Sequence, residues 1–270
     1  RRHTLLHSLC DVHTHTLYSR HAYSTVEENL RAAAEKGLEL LGMAEHFSSM
    51  LFPEPDVRNY QYFYNYAMLP DTWHGVRLMH GCEADIVDCD GNLYGHDIWY
   101  GRGMTGTPFG EPTSLKHLVF SRCDYVVASI HNPEFTWGQP LAATTRAYVG
   151  ALEDPKVLIL GHTGRAGVPF ELDTVLTAAH DLGKLIEINE HSLADKPESI
   201  EKCRQIAERC AELGVHISVS SDAHASFGVG GFDNALAMLE QIHFPQELIA
   251  TSTAATFERA IRDARIPAAV

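Results

Sequence analysis

The chain has 270 residues, 45% hydrophobic and 21% charged; it is long enough for a substantial core and too apolar for a disordered or collagen-like chain. With 35 Asp and Glu against 21 Lys and Arg, the formal net charge is −14, a field that repels polyanions, so nucleic acid is not expected as a bulk partner. No run reaches the roughly 20 apolar residues of a membrane span, so no membrane partner is expected. The opening Arg1-Arg2-His3-Thr4-Leu5-Leu6-His7 lacks the apolar segment of a signal peptide and reads as the trimmed start of a cytoplasmic chain.

Seven short apolar runs read as strands: 9–15, 38–46, 76–83, 125–131, 157–162, 185–189 and 216–222. After the first, Ser24-Thr25-Val26-Glu27 reads as a capping box, the Ser24 hydroxyl and Glu27 carboxylate opening a helix that Gly37 closes. After the third comes a glycine-rich insertion at 87–112 carrying Trp99 and Tyr100, either a lid or a surface loop. Leu172, Val175, Leu176, Ala179 and Leu182 repeat at helical spacing before Gly183. Asp195-Lys196-Pro197-Glu198 opens a further helix with Ile200, Cys203, Ile206, Ala207, Cys210 and Leu213 at helical spacing, and Gly214 stops it. Residues 232–265 read as two more helices. Strands alternating with helices, without a break in composition, imply one domain over residues 1–270 with an α/β fold, a mostly parallel sheet closed into a barrel.

The six cysteines contain no C-x-x-C pair and are expected to be reduced and packed. Cys82 is turned by strand alternation away from the face that Glu83 uses. The 17 histidines are the unusual feature. Six of the seven strands end in or run into a metal-competent side chain: His13 and His15, His46, Glu83, His131, His162, and Asp222 with His224. His21 follows in the first loop. The sixth strand, ending Glu187-Ile188-Asn189-Glu190-His191, leaves its ligand open. Parallel strands present their C-terminal ends at one face of a barrel, so these residues converge. Seven imidazoles and two carboxylates exceed what one tetrahedral ion can use, which implies two or three divalent cations. Asp11 is expected to hold one of the imidazoles. His3, His7, His74, His80, His96, His117, His180, His216 and His243 lack this context and read as structural or solvated, with His191 intermediate.

Asp11-x-His13-x-His15, His46, Gly81-x-Glu83, Ser129-x-His131, the His162 turn and Ser221-Asp222-Ala223-His224 resemble the polymerase and histidinol phosphatase (PHP) family of metal-dependent phosphoesterases. The stretch 11–24, above all His21-Ala22-Tyr23-Ser24, is most similar to its YcdX-type phosphatase branch. The resemblance implies a distorted seven-stranded (β/α)7 TIM-like barrel with a trinuclear centre of zinc, manganese or iron. It implies that His13, His15, Glu83 and Asp222 hold one ion, that Glu83 bridges to a second held by His131 and His162, and that His21, His46 and His224 hold the third. Ala44-Glu45-His46 stands where the family usually has Thr-Asp-His, and Gly161-His162-Thr163 where it often has His-Pro.

Three divalent ions against two carboxylates make the patch positive and suited to an anionic substrate. The reading is a phosphatase hydrolysing a small phosphomonoester, histidinol phosphate or another metabolite phosphate. The nucleophile is a hydroxide between the ions that share Glu83, with Asp222 and His224 also catalytic. Leaving-group protonation is assigned to a metal-bound water, Glu45 or Asp11. Arg20 and Arg165 are candidate phosphate clamps, since the guanidinium fork matches phosphate oxygens; Arg102 is a weaker third. The alternatives are an amidohydrolase-like hydrolase of C–N or C–O bonds, a phosphodiesterase or nuclease-like activity, and a non-catalytic module of the polymerase-associated kind.

Overall fold

The computed structural model describes residues 6–52 and 54–270; the expectations about His3 and the first five residues lie outside the described residues. Each of the seven apolar runs forms a strand: β1 (Cys10–Thr14), β2 (Leu40–Phe47), β3 (Val76–Asp85), β4 (Tyr125–Ser129), β5 (Val157–Leu160), β6 (Leu185–Asn189) and β7 (Ile217–Ser220). They pair in chain order, every pair parallel. Apart from β3, every residue of these strands is buried. Helices on the outside and side chains on the inside cover both faces, which is why the strands read as unbroken apolar runs.

The ring is nearly closed. At the C-terminal end, Asp222 N–H donates to His13 O and His15 N–H to Ala223 O, each at 2.9 Å. Lower down, residues 249–252 wedge between β7 and β1: Ala250 N–H donates to Ile217 O at 2.8 Å and Cys10 N–H to Thr251 O at 3.1 Å. Inside, Tyr125 donates its hydroxyl to Val12 O at 2.6 Å. A Cβ on Gly42 would sit 1.9 Å from that hydroxyl, so this position takes no side chain.

The outer layer holds the expected helices, among them Val26–Glu35, Leu172–Asp181, Pro197–Leu213, Asp233–Gln241 and Ala254–Asp263. The first capping box lies one residue later than expected. Thr25 accepts from Glu28 N–H at 3.2 Å, and the Glu28 carboxylate accepts from Thr25 N–H at 2.7 Å. Ser24 is drawn off to accept from Ser226 N–H at 2.7 Å, tying the first loop to the last. Gly214, at φ 70°, ends the long helix in the left-handed conformation. Cys82, Cys203 and Cys210 are buried, and burial pushes the Cys82 thiol well above its ordinary range.

The 87–112 insertion is not a free glycine-rich loop. Its first half turns back at Asp88 and Asn92 and buries Leu93 and Tyr94, the Tyr60 hydroxyl donating to that of Tyr94 at 3.0 Å. Two apolar side chains in the turn give the segment something to bury, so it packs. Only the following hairpin, Trp99–Arg102 paired with Pro108–Ser114, is mostly exposed.

Candidate metal centre

Glu83, near the end of β3, is fully buried and stands at the centre of the barrel mouth. Its Oε2 lies 2.9 Å from His46 Nδ1, 3.2 Å from His13 Nε2 and 3.5 Å from His15 Nε2. Its Oε1 lies 2.8 Å from His162 Nε2 and 3.4 Å from His131 Nε2, and accepts the Ser129 hydroxyl at 2.8 Å. Register explains the convergence, since His46 sits directly opposite Glu83 in the β2–β3 ladder and parallel partners point to the same side. Asp222 Oδ1 is 3.2 Å from His15 Nε2 and 3.6 Å from His13 Nε2. His21 Nε2 reaches His46 Nε2 at 3.2 Å and His224 Nε2 at 3.1 Å. The structure thus brings all nine candidate ligands into one connected cluster. His162 and Asp222 hold left-handed backbones, φ 29° and 57°. Such strain on non-glycine residues persists where surrounding bonds over-determine it, here the N–H of His162 to Glu187 at 2.7 Å and that of Asp222 to His13 O.

A ring of oxygens orients the imidazoles. His13 Nδ1 meets Glu187 Oε1 at 2.7 Å, His131 Nδ1 meets Asp85 Oδ1 at 2.6 Å, and His224 Nδ1 meets Asp222 O at 2.9 Å. His15 Nδ1 meets Ser19 Oγ at 3.1 Å, and Ser19 gives its own proton to Glu45 at 2.5 Å. That leaves the serine oxygen to accept from His15. With Nδ1 donating in each case, the Nε2 lone pair faces the cluster, the arrangement by which oxygen partners fix a ligating histidine.

Sequence reasoning missed Glu187, Asp85 and Ser19 in these roles. Two of its assignments are corrected. Asp11 holds no imidazole: its carboxylate accepts from the Ser221 hydroxyl at 2.5 Å, Ser221 N–H at 3.1 Å and Gly230 N–H at 2.8 Å. The β1–β2 register shifts between Asp11 and Thr14, so simple alternation does not carry Asp11 to the face of His13. Glu45 is likewise no proton donor at the mouth. It is fully buried among Thr16 and Ser19, on the opposite side of β2 from His46. Arg165, 24% exposed, donates to Asp222 Oδ2 at 2.9 Å. Arg20 lies 4.8 Å over the Phe52 ring, and Arg102 donates to Gly106 O within the hairpin.

Burial disfavours ionised Glu83, yet the imidazoles of His13, His131 and His46 hold it well below the usual carboxylate range. Asp222 is lowered in the same way, against burial, by His13 and His15. Burial holds His15, His21 and His224 low, reinforced by neighbouring imidazoles. On His131 burial acts the same way, but Glu83 and Asp85 outweigh it and push the group up to about 10. His13 is likewise disfavoured as a cation by burial, yet Glu187, Glu83 and Asp222 hold it well above its ordinary range. Two carboxylates held low, with three imidazoles held low and two held high by the acids beside them, form a donor set whose charge a cation would rebalance. Buried His13 Nε2, His46 Nδ1 and Glu83 Oε2 face one another without a well-aligned hydrogen bond, an arrangement that a shared cation would satisfy. Donor atoms of His13-His15-Asp222, of His46-Glu83-His131 and of His15-His46-His224 lie within 4.8 Å of one another in each group. The nitrogen and oxygen donors fit zinc, manganese or iron.

Residues 11–213 match the PHP domain. The chain belongs to the PHP domain family. This PHP domain is 34% identical over 261 residues to a probable phosphatase of Caldanaerobacter subterraneus subsp. tengcongensis, covering 96% of this chain and 93% of that one. It is 36% identical over 240 residues to a probable phosphatase of Clostridium novyi, covering 88% of each. In fold it is similar to the histidinol phosphate phosphatase of Lactococcus lactis subsp. lactis solved with zinc, L-histidinol and phosphate. The TM-score is 0.55 at 17% identity, over 87% of this chain and 94% of that one. A chain in the structure of archaeal ribonuclease P with mature tRNA is similar at TM-score 0.53 and 13% identity, over 94% of this chain and 90% of that one. Among the described residues, no helix is long and apolar enough to cross a membrane.

Proposed function

We propose that this PHP domain is a metal-dependent phosphatase acting on a small phosphomonoester. The observation that carries the reading is the convergence of seven imidazoles and two carboxylates in one connected cluster at the barrel mouth. We assign His13, His15, Glu83 and Asp222 to one cation, Glu83, His131 and His162 to a second, and His21, His46 and His224 to a third. His46 faces both Glu83 and His21, so it stands between the positions that share Glu83 and the third. Divalent cations in such a site lower the pKa of water toward neutrality and neutralise charge building on phosphoryl oxygens.

The protein's own contribution is orientation and charge. Glu83 presents both oxygens inward, and Glu187, Asp85 and Ser19 hold three of the rings in place. We assign Arg165, which donates to Asp222, and Arg20 as the phosphate clamps. The probable phosphatases among its relatives support phosphoester hydrolysis. Histidinol phosphate is one candidate, since the Lactococcus protein was solved with L-histidinol and phosphate. The net charge of −14 favours a small ester over nucleic acid. Six cysteines without a disulfide fit a cytoplasmic location. We take residues 1–270 as one barrel domain, with the glycine-rich segment at 87–112 as its insertion.

The test is phosphate release from a panel of metabolite esters, run on protein of measured metal content. Chelator-stripped protein is expected to lose turnover and to regain it with zinc, manganese or iron. Full turnover by stripped protein overturns the reading.

A further inference from the structure

The two most exposed aromatic side chains among the described residues are Phe227, 87% exposed, and Tyr23, 81% exposed. Both line one cavity of about 520 Å³, together with Ala194 and Ala225, and that same cavity is lined by Asp222 and His224 of the metal cluster. The rings therefore belong to the wall of an open pocket that also includes two residues of the candidate centre. Exposed aromatic surface is costly unless something covers it, and next to a catalytic centre the covering group is a ligand.

The backbone beneath both rings is held. Tyr23 N–H donates to His224 O at 2.8 Å. The 226–228 turn is tied by Ser226 N–H to Ser24 at 2.7 Å and by the Lys36 ammonium to Phe227 O at 3.2 Å. The pocket's charges discriminate as well. No lysine or arginine is among its lining residues, while Glu190, Asp233 and the imidazole of His191 are. Glu190 is occupied by Asn234 and Ala235 N–H groups. A second anionic group on the substrate meets two carboxylates there and finds no permanent cation, His191 being the one imidazole outside the cluster that it could reach. The cavity lined by Arg165, Lys196 and Lys202 offers the opposite character.

We infer that the pocket between Tyr23 and Phe227 seats the leaving group, and that it selects phosphomonoesters of aromatic alcohols carrying no further negative charge. This rests on the phosphatase reading and names its substrate class. The phosphoryl group sits at the cluster, and the ring slides between the two aromatic side chains.

The experiment compares 2-phenylethyl phosphate, propyl phosphate and 4-carboxybutyl phosphate on metal-loaded protein, since three primary alkoxide leaving groups differ little in intrinsic reactivity. The aromatic ester is expected to exceed propyl phosphate by about tenfold in kcat/KM, carried by KM, the scale of burying one ring between aromatic walls. In the Tyr23→Ala/Phe227→Ala variant the ratio is expected to fall to about twofold. Equal rates for the aromatic and propyl esters, or an undiminished ratio in the variant, overturn the proposal. Preference for the carboxylate ester also overturns it and puts the leaving group on the Arg165 side. The corresponding phosphonates, bound by the same protein in a calorimeter, test the pocket without turnover, and equal affinity of the phenylethyl and propyl compounds sinks it. Hydrolysis of none of the esters alongside tighter binding of the phenylethyl phosphonate keeps the pocket and removes the phosphatase reading instead.

Discussion

Glu187 holds three groups at once. It accepts from His13 Nδ1 and from His162 N–H, each at 2.7 Å, and from the Asn189 amide at 3.2 Å. Glu187→Gln keeps the volume but turns one acceptor into a donor, so either His13 or His162 loses its hold. We predict a 10–100-fold loss of metal affinity or activity, read as metal retained per chain after dialysis against a chelator and as kcat. Unchanged metal retention would show that His13 is oriented without it. His13 and His15 were legible in the sequence because they alternate along one strand. Glu187 was not, because an acid inside an apolar run has no visible partner until β6 is set across the barrel from β1. Asp11 was misread for the converse reason: its neighbourhood in sequence to His13 is undone by the irregularity in β1.

At the scale of elements, strand spacing governs the site as closely as the ligands do. Gly161 follows β5, and a Cβ there would lie 2.2 Å from Ser129 Oγ and 2.8 Å from Val127 Cγ1. Ser129 is the residue that donates to Glu83. Gly161→Ala is therefore predicted to push β4 and β5 apart, at about 1–3 kcal/mol of stability, and to lower turnover as Glu83 loses its hydroxyl partner. Thermal unfolding and phosphate release on the same preparation check both; a variant as stable and as active as the parent would refute it. All seven strands were readable from two-sided burial. The capping box slipped by one residue because Ser24 and Thr25 are both competent caps, and only the loop of Ser226 decides between them. The hairpin at 99–114 escaped because glycines announce turns and do not say what they pair.

Across the whole molecule, the two ends of the barrel carry different chemistry. Opposite the metal mouth, Lys184 at the entry to β6 donates to Val157 O and Asp154 O, and burial pulls its pKa down to about 8. The unfolded chain keeps an ordinary lysine at about 10.4. Between those two values the unfolded chain holds a proton that the folded chain has lost, so stability contributed by this group rises with pH. The melting temperature of the parent minus that of Lys184→Met is expected to increase from pH 7 to pH 10. A difference that stays flat would contradict the depressed pKa.

The sequence by itself determined which side chains gather at the mouth. Parallel strands covered on both faces write themselves as apolar runs, and their C-terminal ends meet whatever the loops do. Only the tertiary structure decided which oxygen steers which ring, how residues 249–252 complete the closure, and which pocket opens beside Asp222 and His224. Those outcomes depend on distances across the barrel and on local breaks in register, neither of which is a property of neighbouring residues in the chain.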